Sequence, residues 1–80
     1  MRILVIDGQG GGIGRALVER LRTRLPEAEV LAVGTNAIAT SAMLKAGASA
    51  AATGENAVRV CAKTADVIAG PIGIVLKDAM

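Results

Sequence analysis

The chain has 80 residues, nine basic and seven acidic side chains for a net charge of +2, and one cysteine. Apolar residues make up 52% of it, yet there is no Phe, Tyr or Trp. That length is one domain, and the combination argues against a nucleic-acid surface, an intramolecular disulfide and a membrane span, which needs ~18–20 continuous apolar residues.

Residues 2–6 predict a short strand, apolar on both faces as in a buried parallel sheet. Next comes Asp7-Gly8-Gln9-Gly10-Gly11-Gly12-Ile13-Gly14, with five glycines in seven positions from Gly8 to Gly14. From Ile13, apolar residues at Ala16, Leu17, Leu21 and Leu25 recur at helical spacing, and Pro26 stops the helix after about Arg24. Arg20, Arg22 and Arg24 fall in its later turns, where cations offset the negative end of the dipole, and Arg15 with Glu19 forms an i,i+4 pair.

A second strand is predicted over Glu29–Val33, ending at Gly34. Thr35-Asn36 caps a second helix carrying Ala37, Ile38, Ala42, Met43 and Leu44, which Gly47 ends. Ser49–Ala52 reads as either a strand of alanines or an irregular connection. Thr53 is the expected N-cap of a third helix over Gly54–Thr64, with strand an open alternative because of Val58 and Val60. Asp66–Ala69 predicts a strand ending in Gly70-Pro71, and Ile72–Met80 the start of a further helix. Alternation of this kind predicts an α/β fold, a Rossmann-like open parallel sheet of three or four short strands with helices on both faces.

The glycine-containing segments follow strands: Asp7–Gly14, Gly34–Asn36, Thr53–Asn56 and Gly70–Gly73. In a parallel sheet they converge on the edge where open α/β sheets bind ligands. A strand, a turn without side chains and a helix N-terminus together favour an anion, most often phosphate. The expected nucleotide-binding residues are therefore Gly8, Gln9, Gly10, Gly11, Gly12, Ile13, Gly14, Gly34, Thr35, Asn36, Gly70 and Pro71.

Asp7 is open between bracing the loop and touching a ligand or metal, because a carboxylate there repels an anion. Gln9 and Asn56 are open between ligand contact and turn stabilisation, and Glu55 suits a helix start. Cys61 reads as a small buried hydrophobe without a histidine to activate it. With no His and one Cys, no metal site is expected. No catalytic residue is identified.

The dinucleotide pattern G-x-G-x-x-G fails from Gly8 at Ile13 and from Gly10 at Arg15. G-x-x-x-G-x-G fits at Gly8, Gly12 and Gly14, and with Gly-Ile-Gly-Arg-Ala-Leu it resembles the cofactor turn of short-chain dehydrogenases/reductases over about residues 2–25. The resemblance implies that Gly8, Gly12 and Gly14 bring backbone against a pyrophosphate and let the helix pack on the first strand, with Ile13 as a cofactor contact and NAD or NADP as cofactor. The chain departs from that family in having no tyrosine for Tyr-x-x-x-Lys, and Gly34-Thr35-Asn36 where a ribose-binding acid would stand. A P-loop fails at Gln9, Arg15 and Ala16.

Over most of its length the chain resembles an uncharacterised family of small bacterial proteins, a domain of unknown function. The stretches are Ile6–Gly14, Gly34–Gly47, Ala52–Ala57 and Gly70–Ile74. Members of that family run on further, so the resemblance implies one Rossmann-like domain over 1–80 that is truncated at its C-terminus.

The expectation is a cytoplasmic module binding NAD(P) or an adenine nucleotide, and not clearly an enzyme. The alternatives are a fragment of an NAD(P)-dependent oxidoreductase and a non-catalytic oligomerisation module. So small a chain buries only roughly 60–65% of the surface its unfolded form exposes, and without aromatics a homo-oligomer is expected.

Overall fold

The computed structural model describes residues 1–8, 12–71 and 73–76, without the side chains of Val75 and Leu76. Among these residues five strands and three helices run in the order β1 (Arg2–Asp7), α1 (Gly12–Arg24), β2 (Glu29–Gly34), α2 (Ala37–Lys45), β3 (Ala50–Thr53), α3 (Glu55–Ala62), β4 (Val67–Gly70) and β5 (Gly73–Leu76). They form one sheet in the order β3-β2-β1-β4-β5. The first four strands are mutually parallel, and β5 is antiparallel to β4. This is an α/β arrangement compatible with a Rossmann-like fold.

β1 is the middle strand, which is why its sequence is apolar on both faces. Ile3 and Val5 join Val30 and Ala32 of β2 under α1 and α2, around Val18 and Met43. Leu4 and Val33 face the other way, against Ala57, Val58, Cys61 and Ala62 of α3. The faces follow from chain direction. The crossovers through α1 and α2 step one way across the sheet, whereas β3 to β4 steps back over two strands. With right-handed crossovers, that return must place α3 on the opposite face.

Local chemistry sets the boundaries. Pro26 follows α1, whose Arg22 Nη1 donates to the Ala28 carbonyl at 3.0 Å. Asn36 caps α2 as predicted, with its Oδ1 accepting from Ala39 N at 2.9 Å. Gly47 follows α2 at φ +115°, a left-handed region that suits glycine. Asp66 ties the start of β4 to that of β1: its N donates to the Arg2 carbonyl and its Oδ2 accepts from Arg2 N, both at 2.8 Å. Arg2 also pairs with Glu29.

Three expectations need correction and one open alternative is resolved. The sheet has five strands rather than three or four, and it is not wholly parallel. Of the two readings left open for Ser49–Ala52 the strand holds, as Ala50–Thr53, its edge position tolerating alanines that a central strand could not use to fill a core. Thr53 does not cap α3; it belongs to β3, and Gly54 takes the N-cap position without a side-chain bond. Gly73–Leu76 is a strand paired with β4, where the start of a helix was predicted. A short apolar run fits either element, and the Gly70–Gly73 turn returns it along β4. Residues 77–80 of that predicted helix lie outside the described residues.

Candidate functional site

The ends of the four parallel strands lie on one edge. Between β1 and β4 the strand order reverses, the place where open α/β sheets commonly hold a ligand. The loop after β1 leaves from this edge, and α1 begins there at Gly12. Gln9, Gly10 and Gly11 lie outside the described residues.

Several predicted residues do meet. Thr35 N donates to the Asp7 carbonyl at 3.1 Å, and Asn36 Nδ2 donates to the Gly8 carbonyl at 3.4 Å. The loops after β1 and β2 are thus joined. A Cβ on Gly8 would stand 3.1 Å from Thr35 Oγ1. At the end of β4, a Cβ on Gly70 would lie 2.6 Å from the Ile6 carbonyl oxygen, so its hydrogen lets β4 close against β1. Pro71 is exposed in the turn that follows.

The glycines divide by what surrounds them. Gly14 is buried, and a Cβ there would fall 2.6 Å from Met43 Sδ and 2.9 Å from Asp7 Cβ and Oδ2. At Gly34 a Cβ would come within 2.6 Å of Thr40 N. These two, like Gly70, serve close packing. Gly12 differs, since nothing lies within 4 Å of its missing Cβ. Ile13 beside it is exposed.

Asp7 braces the loop. It is 1% exposed, and its Oδ2 accepts from Gly14 N at 2.7 Å. The first turn of α1 has no acid of its own; the preceding strand supplies one. The Gly14 amide, expected to face a ligand, is therefore engaged by the protein itself.

Two residues at this edge were not singled out for the role they take. Thr40 Oγ1 lies 3.0 Å from the Asn36 carbonyl, 3.3 Å from the Ala52 carbonyl and 2.8 Å from Thr53 Oγ1. The pair of hydroxyls fastens the start of α2 to the end of β3. No spacing rule marks such a pair before the strand order is known. Glu55 and Asn56 are exposed in the first turn of α3, and Cys61 is half-buried beneath that helix.

Among the described residues no cluster of His, Cys, Asp and Glu could hold a metal ion, and no helix is long and apolar enough to cross a membrane. No curated protein and no solved structure matches the chain. A family model does match residues 2–80, that of the Domain of unknown function (DUF3842), and the chain belongs to this family.

Proposed function

We propose that the strand-end edge binds a nucleotide, an adenine nucleotide or NAD(P), with its phosphates over the loop between Gly8 and Gly12. The observation that supports this most is the strand order. The glycine-rich turn leaves the central strand at the point where the order reverses, next to Gly70 of β4. Gly8 and Gly12 leave backbone approachable there, and Thr35 and Asn36 bring neutral polar groups from β2. The reading is one of binding, and it assigns no reaction.

A thermal-shift panel of NAD(H), NADP(H), ATP, AMP and nucleotide sugars tests it. At 100 Kd a ligand adds about 2.7 kcal/mol. At this size each kcal/mol moves Tm by roughly 4–8 °C, so a rise of about 10 °C or more is expected. Gly12→Leu supplies the control. Nothing among the described residues lies within 4 Å of the first carbon of such a side chain, so Tm without ligand is expected to hold while the nucleotide response falls. No response to any phosphate ligand would sink the reading.

We further infer that the chain self-associates. Ile38 on α2 is 72% exposed and Ile74 on β5 69%, with Val60 of α3 also open, so large aliphatic groups face outward on three elements.

A further inference from the structure

Resting on the self-association inferred above, we propose that its interface is the outer edge of β3. A second copy of the chain pairs there, antiparallel and about a two-fold axis, so that the sheet continues from one molecule into the other. β3 is the end strand opposite β5. Ser49 N donates to the Val30 carbonyl at 2.8 Å, and Ala51 stands across from Ala32. Backbone polar groups alternate sides along a strand, so Ser49 and Ala51 face β2 while Ala50 and Ala52 face outward. Among the described residues the polar partner on this outer edge is the Thr40 hydroxyl, 3.3 Å from the Ala52 carbonyl. That oxygen keeps a second lone pair. Edge strands are ordinarily blunted by a charge, a proline or a bulge. Residues 46–54 hold no charge and no proline, and the register of β3 on β2 runs unbroken from Ala50 to Thr53.

A second copy fits this edge because the edge is complementary to itself. With Ala51 opposite Ala51 of the second copy, Ala50 falls across from Ala52 and Ala52 from Ala50, and every outward N–H meets a carbonyl. Methyl side chains permit the Cα approach of about 4.5 Å that the central pair requires. α2 supplies a second contact. Met43 shares a core cluster with Val30 and Ala32, against which Ala51 also packs, so α2 lies over β2 and β3. The two-fold then sets the two α2 helices about two strand spacings, or ~10 Å, apart, an ordinary helix-packing distance. Leu44 follows Thr40 by one turn on the side toward β3 and is 50% exposed. A rise of about 6 Å over four residues brings it level with Ala50, beside the axis, where its own copy covers it.

Ala50→Pro and Leu44→Lys test the assignment by sedimentation equilibrium. The Ala50 N–H points away from β2, so proline spares the ladder within the chain and removes a donor from each side of the seam. Leu44→Lys sets like charges against each other across the axis. Each variant should weaken dimer Kd by about tenfold or more while its circular dichroism stays that of the wild type. Amide exchange of the wild type, read by NMR, needs no substitution. Ala50 and Ala52 should exchange slowly at high concentration and faster on dilution, while Ala51, bonded within its own sheet, changes little.

A folded variant that keeps the wild-type Kd overturns the assignment to β3 and leaves self-association standing. So does exchange at Ala50 and Ala52 that ignores concentration in a chain that dimerises, and this comparison decides alone if neither variant folds. A wild type at the protomer mass at every concentration removes self-association and this proposal together.

Discussion

Gly12 and Gly14 sit two positions apart in the first turn of α1, yet the same substitution should move stability in opposite directions. At Gly12 nothing lies within 4 Å of an added Cβ, so alanine brings its better helix propensity without a clash. At Gly14 the added carbon would meet Met43 Sδ at 2.6 Å and Asp7 Cβ at 2.9 Å. The thioether end can swing away, but the root of a buried, hydrogen-bonded Asp7 cannot. Overpacking of this sort costs about 1–3 kcal/mol, and the propensity gain offsets only part of it. We expect Gly14→Ala to lower the urea midpoint and Gly12→Ala to hold or raise it. A shift of both in the same direction would refute the packing account of Gly14. That account also explains why a pattern match cannot separate the glycines: all look alike in sequence, and only the neighbours distinguish them.

At the scale of elements, the joint between α2 and β3 rests on a shared hydroxyl pair. Thr40 carries one hydroxyl hydrogen, so it donates to one of its three neighbouring oxygens while Thr53 can donate back. Thr40→Val keeps the shape and leaves both the Thr53 hydroxyl and the Ala52 carbonyl without this partner. Thr53→Val leaves Thr40 its carbonyl acceptors. Thr40→Val should therefore cost about 1 kcal/mol in urea unfolding and Thr53→Val clearly less; equal costs would show that the hydroxyls act independently.

The same elements mark what could be read in advance. β1, α1, β2 and α2 were legible because two signals agree at each: apolar periodicity, and a stop or cap such as Pro26, Asn36 and Gly47. From Ala50 onward the signals thin out. Ala50–Ala52 carries no periodicity, and Gly54 offers no side chain to announce α3. Gly73–Leu76 is four residues whose direction depends on a tight turn. At the site, the convergence of the loops was legible from strand–loop alternation. The engagement of the Gly14 amide was not, because Asp7 had two chemically reasonable partners and only the three-dimensional approach decides between them.

On the scale of the whole molecule, the two faces of the sheet are unequally covered. α1 and α2 shield one, with Gly14, Val18, Ala39 and Met43 buried beneath them, whereas α3 has no fully buried residue. Aliphatic side chains of modest size leave the second layer thin, and this supports the proposed self-association. Multi-angle light scattering should give a mass at least twice the 8.0 kDa of the chain, falling on dilution. A single species at the protomer mass across the concentration range would rule it out.

The reversal of β5 has a practical consequence. It returns Leu76 to a position beside Val67, itself across from Ile3, while the Met1 carbonyl accepts from Glu29 N at 2.9 Å. Met1 and Leu76 therefore both stand at the margin of the sheet remote from Gly8, Gly34 and Gly70. A sensor chip or fluorescent reporter tethered through Met1 would leave the opposite rim turned toward the bulk solution, free to sample whatever is passed over it.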